Sequence, residues 1–99
     1  MTRKIAIVAL LLVPLMVAQA EAQSTERISA DTMRAALRTA APEDNGFIDR
    51  VVGMADMGAL SRSILNGTFR WACKKPVRYR FQYFRRALII RAARAGTPI

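Results

Sequence analysis

The sequence predicts an all-α protein, a small bundle of three to four short helices following a cleavable N-terminal signal peptide. Three observations lead there. Apolar residues between positions 29 and 96 recur at spacings of three and four, which gathers them on one face of a helix. Serine, proline and glycine stand where such helices would start and stop. No strand-like alternation, internal repeat or low-complexity tract interrupts the pattern.

Residues 1–20 have the three parts of a secretory signal. Arg3 and Lys4 are the charged end, residues 5–17 are apolar with Pro14 near their close, and Ala18-Gln19-Ala20 is a small-x-small cleavage site. Ala20-Glu21-Ala22 offers an alternative cut after residue 22. An uncleaved membrane anchor is the competing reading, but the apolar run is shorter than the roughly 20 residues a span needs. With either outcome the positive-inside rule places the following residues outside the cytoplasm: secreted or periplasmic after cleavage, membrane-anchored without it.

Removing residues 1–20 leaves about 79 residues, enough for one small domain. Residues 21–28 are expected to be a flexible lead-in, 29–96 a single helical domain and 97–99 a tail. With Cys73 alone an internal disulfide is excluded, so helix packing, an oligomer or a partner must stabilise the domain. Cys73 itself is expected to be a half-buried, inert thiol.

The first helix should be capped by Ser29, with Asp31 in its first turn. Met33, Ala36, Leu37 and Ala40 form its apolar stripe, Asp31, Arg34, Arg38 and Thr39 lie opposite, and Ala41-Pro42 ends it. Pro42-Glu43-Asp44 starts the second helix, although Asn45-Gly46 could delay the start with a turn. Phe47, Ile48, Val51, Val52, Met54 and Ala55 make its buried arc, and Gly58 stops it. Ser61 caps a third helix that reaches Lys75 and is stopped by Pro76. Ile64, Leu65, Thr68, Phe69, Trp71 and Ala72 share its broad inner face, and Arg62, Asn66, Arg70 and Lys74 are expected to face water. The fourth should run from about Arg78 to Ala95 and end at Gly96.

That last helix has two apolar stripes. Val77, Phe81, Phe84, Leu88, Ala92 and Ala95 fall within about 80° of arc and form a core face. The opposite side carries Tyr79, Tyr83 and Ile90, with Arg86 among them. Three readings of this second stripe stay open: burial against the first helix, contact with a polyanion, or placement in a membrane interface. Self-association through the tyrosines and Ile90 is a further option.

Charge is sharply divided. Without Arg3 and Lys4 the chain has fourteen basic and seven acidic residues, a net +7. Residues 21–57 hold all seven acids, whereas residues 57–99 hold ten Lys or Arg and no carboxylate side chain. Such polarity favours polyanions. Arg78, Arg80, Arg85, Arg86, Arg91, Arg94, Lys74 and Lys75 are the candidate anion-binding residues, with Tyr79 and Tyr83 as aromatic contacts. The expected partner is an anionic surface or an acidic protein. Nucleic acid and a membrane surface are chemically suitable, and a self-associating structural subunit is the alternative of a different class.

Catalytic chemistry is not expected. With no histidine, Ser-His-Asp triads, Cys-His pairs and the usual zinc sites are excluded, and no metal or cofactor is called for. Asp49 and Asp56 read as solvated charges. A calcium loop placed on Gly46 would put Ala41 and Val52 where carboxylates belong. Ala59-Leu60 stand where a phosphate loop needs Lys-Ser/Thr. Asn66-Gly67-Thr68 matches a glycan acceptor but lies inside a predicted helix.

Overall fold

Four α-helices and one 3-10 turn account for the regular structure of residues 25–99, which the computed structural model describes. They are α1 (Ala30–Leu37), α2 (Pro42–Asp56), α3 (Arg62–Cys73), the 3-10 turn (Val77–Tyr79) and α4 (Arg80–Arg94). The signal-peptide reading lies outside the described residues. Among the described residues no helix is long and apolar enough to cross a membrane.

The starts of α1 and α3 follow from their serines. Ser29 Oγ accepts from the Thr32 N–H (3.2 Å) and Ser61 Oγ from the Ile64 N–H (3.4 Å), each satisfying one amide that lacks an intrahelical partner. At α2 no side chain caps the start; Pro42 occupies the first turn and Glu43 and Asp44 follow it. Asn45 and Gly46 are inside α2 rather than in a turn before it.

Gly58, with φ +77°, closes α2: its N–H donates to Ala55 O (3.1 Å) and the Ala59 N–H to Met54 O (2.8 Å). Gly96 repeats the arrangement after α4, bonding Ala93 O, while Thr97 bonds Ala92 O. The same left-handed turn ends α1, but on Arg38 (φ +58°), where a side chain costs roughly 1–2 kcal/mol. Helix α1 therefore stops at Leu37, three residues before the expected end, because the extended Ala41 ahead of Pro42 needs the chain to have left the helix.

One core unites the helices. Met33 and Leu37 come from α1, Phe47, Ile48, Val51, Val52 and Ala55 from α2, and Leu65, Phe69 and Ala72 from α3. Leu60 joins them from the α2–α3 link, and Phe84, Leu88 and Ala92 from α4. Phe84 is its aromatic centre, with ring centroids of Phe47, Phe69 and Phe81 6.2, 6.5 and 6.5 Å away. Helix α4 packs chiefly on α3.

Several residues differ from the sequence expectation. Asn66 is fully buried rather than wet, and its side-chain amide donates to the Glu26 carbonyl. Thr68 is buried as well, so the acceptor asparagine and the threonine of the glycan triplet both face the bundle interior, with only Gly67 between them exposed. Arg62 is half-buried and donates to Asp56 (2.8 Å). Asp49 and Asp56 are ion-paired: Asp49 meets Arg34, and Asp56 meets both Arg27 (3.0 Å) and Arg62. Of the described flanking residues, Ile28 and Ile99 pack partly buried against the core and Arg27 pairs with Asp56 of α2; residues 21–24 of the expected lead-in lie outside the described residues. Val77 and Ala95, at the two ends of the expected core stripe, are exposed because the helix begins after one and ends before the other.

Candidate anion-binding surface

The two stripes of α4 have opposite fates. Phe84, Leu88 and Ala92 are 0% exposed, whereas Tyr79, Tyr83 and Ile90 are 44%, 44% and 43% exposed. Burial of the second stripe against α1, one of the three expected readings, is therefore corrected. At 100° per residue Tyr79, Tyr83, Arg86, Ile90 and Arg94 fall in one row along the outer side of α4.

Helix α3 contributes to the same surface. Pro76 leaves only a short link before the 3-10 turn, so the last turn of α3 lies beside the outer flank of α4. The Trp71 ring meets Tyr83 edge-to-face with centroids 5.8 Å apart. Lys75 Nζ stands 4.6 Å from the Trp71 centroid and 5.5 Å from that of Tyr83, and Arg91 Cζ is 5.3 Å from Trp71. Arg91 also donates to Thr68 Oγ1 (3.2 Å), which fixes its guanidinium against α3. Trp71 was expected only as core. Its i, i+4 spacing from Lys75 and the brevity of the α3–α4 link are the signals that could have placed it here.

Shallow depressions run around α4, and three share Arg86. One of about 300 Å³ is lined by Tyr79, Gln82, Tyr83 and Arg86. A second, about 170 Å³, lies among Trp71, Tyr83, Arg86, Ala87 and Ile90. The third, about 480 Å³, reaches Asp44 and Arg85 on the other flank. Arg85 and Arg50 stand over the Phe47 ring, each guanidinium carbon 5.7 Å from its centroid.

The candidate cations are not equivalent. Arg80 is half-buried and structural, its Nε donating to Lys75 O and its Nη1 to Ala36 O, both at 3.1 Å. It thereby supplies a positive charge to carbonyls at the ends of α3 and α1, where helices are electronegative. Arg80 leaves the set of available anion-binding groups for that reason. Lys74, Arg78, Arg85, Arg86, Arg91 and Arg94 are exposed, and Lys75 is half-covered by the aromatic rings. None of these seven makes an ion pair among the described residues.

The acids explain why. Arg34 engages Asp31 and Asp49, and Arg27 and Arg62 engage Asp56, whose carboxyl is held down to about 2, first by the hydrogen bond from Arg27 and then by that from Arg62. Asp31, Asp49 and Asp56 are thus paired close to home, while Asp44 lines the flank depression that it shares with Arg85 and Arg86. Half-burial pushes the Cys73 thiol up, opposed by the charge of Arg80, so the thiolate nucleophile is disfavoured. Among the described residues no three His, Cys, Asp or Glu side chains come together as a metal site would require. Compared with known protein families, curated proteins and solved structures, the chain matches none.

Proposed function

We propose that this is a small exported protein without catalytic activity, which binds an anionic extracytoplasmic partner through the outer face of α4 and the adjoining end of α3. One observation carries the reading. Tyr79, Tyr83 and Ile90 remain about two-fifths exposed beside basic groups that have no carboxylate partner among the described residues. Half-exposed aromatic rings leave apolar area in water that a ligand can cover with a gain in free energy, and guanidinium groups match carboxylate, sulfate and phosphate geometry bidentately. Export is supported by the N-terminal charged, apolar and small-residue pattern.

The self-associating alternative draws its charge argument from an acidic half meeting a basic half. Asp31, Asp49 and Asp56 are already engaged by arginines of their own chain, which weakens that argument. Like charges on the α4 face would also oppose a symmetric dimer built on it.

Retention on immobilised heparin, followed from low to high salt, tests the proposal. Binding should be tight at low ionic strength and fall steeply, log affinity dropping by roughly 0.7–0.9 per neutralised anionic contact for each decade of salt. Salt-independent affinity, or no retention on heparin or anionic vesicles at low salt, contradicts it.

A further inference from the structure

We infer that the ligand of this surface is a linear acidic polysaccharide, its sugar rings stacked on Tyr79 and Tyr83 and its carboxylate or sulfate groups anchored by Arg86. The inference rests on the proposed anion-binding function and narrows it to one class of polymer.

Charge complementarity argues for an anion, and the arrangement of side chains argues for a sugar. Arg86 lies in a row between Tyr83 and Ile90 and lines both depressions along that row as well as the one on the neighbouring flank. The row from Tyr79 to Ile90 is roughly 16 Å long at the helical rise, a length suited to an extended chain rather than a single small ion. Flat aromatic faces accept the apolar C–H face of a pyranose, while the Gln82 side chain in the same depression can donate to and accept from hydroxyls.

Two competing ligands fit less well. A uniformly charged phosphate polymer would meet Asp44, which lines the depression continuing past Arg86 and Gln82. A carboxylate there repels a dense polyanion but hydrogen-bonds readily to sugar hydroxyls. An anionic bilayer would ask for apolar side chains gathered on one face. Here Arg86 interrupts the row between Tyr83 and Ile90, so the apolar groups alternate with charge.

Trp71 is the chain's only tryptophan and touches Tyr83, so its emission reports on the site. The test titrates the natively processed protein, at fixed low salt, with oligogalacturonate, with polyphosphate of matched charge and with phosphatidylglycerol vesicles. The expected result is a saturable change in Trp71 emission with oligogalacturonate, at least about tenfold tighter than polyphosphate, a margin worth ~1.4 kcal/mol. Tyr79→Ala and Arg86→Gln, both at exposed positions, should each weaken oligogalacturonate binding about fivefold or more while helical circular dichroism is unchanged. Equal affinity for polyphosphate, or indifference to both substitutions, overturns the sugar assignment and leaves anion binding standing. Tighter binding to the vesicles overturns it in favour of a membrane interface. If no probe binds, the sugar assignment and the proposed function fall together.

Discussion

The inner and outer faces of α4 both carry aromatic and aliphatic side chains but do different work. Phe84, Leu88 and Ala92 complete a core shared by all four helices, and their burial holds the bundle closed. Tyr79, Tyr83, Arg86 and Ile90 lie on the far side, where no other described element covers them fully. A helix at the edge of a bundle needs only one apolar stripe to fold. The second is surplus to folding, and so it can be altered while the fold remains.

The largest contrast should come from truncating one aromatic on each face. Phe84→Ala removes a fully buried ring at a cost of about 3–5 kcal/mol. A core this small supplies only about 3–5 kcal/mol in total, so loss of helical circular dichroism at room temperature is expected. Tyr83→Ala forfeits chiefly its edge contact with Trp71, about 0.5–1.5 kcal/mol, and should stay folded. A Tyr83→Ala protein that unfolds like Phe84→Ala would erase the distinction between the faces.

The arginines sharpen the same comparison. Arg80→Met strips two charge-assisted bonds from half-buried carbonyls and should lower the urea midpoint by the equivalent of about 1.5–3 kcal/mol. Arg86→Gln should change stability by no more than about 0.5 kcal/mol while weakening anion binding. Two substitutions away from α4 should instead stabilise. A Cβ at Gly67 would meet nothing within 4 Å, so Gly67→Ala should gain up to about 1 kcal/mol, read as a rise in melting temperature. Arg38→Gly relieves a left-handed arginine and should gain somewhat less, since glycine also loosens the unfolded chain.

The smallest expected effect is on pH dependence. The folded carboxyl of Asp56 lies near 2, below the roughly 3.9 of an unfolded aspartate. The stabilisation it gives is therefore present above about pH 4 and lost as pH falls from there toward 2. In Asp56→Asn the acid side of the stability profile should be flatter over that window, measured by urea denaturation from pH 6 to 2.

Legibility in the sequence tracked the range of the interaction. Ser29, Ser61, Pro42, Gly58 and Gly96 act within a few residues of themselves, and the helix starts and stops they mark could be read directly. Spacing alone also places Phe84, Leu88 and Ala92 in the core, but it extends that face to Val77 and Ala95, which the ends of α4 leave exposed. The roles of Asn66 and Arg80 are hidden from the sequence because their partners, the Glu26 and Ala36 carbonyls, are 40 and 44 residues away and leave no local trace. Arg38 is hidden for another reason: a glycine would announce the left-handed turn, whereas arginine rarely adopts it. Of the candidate surface, the arginines and tyrosines of α4 were visible, but Trp71 joined them only once α3 and α4 were side by side.

Comparing Tyr79→Ser/Tyr83→Ser/Arg86→Gln with the unaltered protein, by heparin retention and thermal unfolding together, bears most directly on the outer face of α4. The account predicts a cooperative unfolding transition that survives, lowered by several degrees at most, with elution at clearly lower salt. Unchanged elution from a folded triple variant would contradict it, because the basic charge of the chain would then bind without that face.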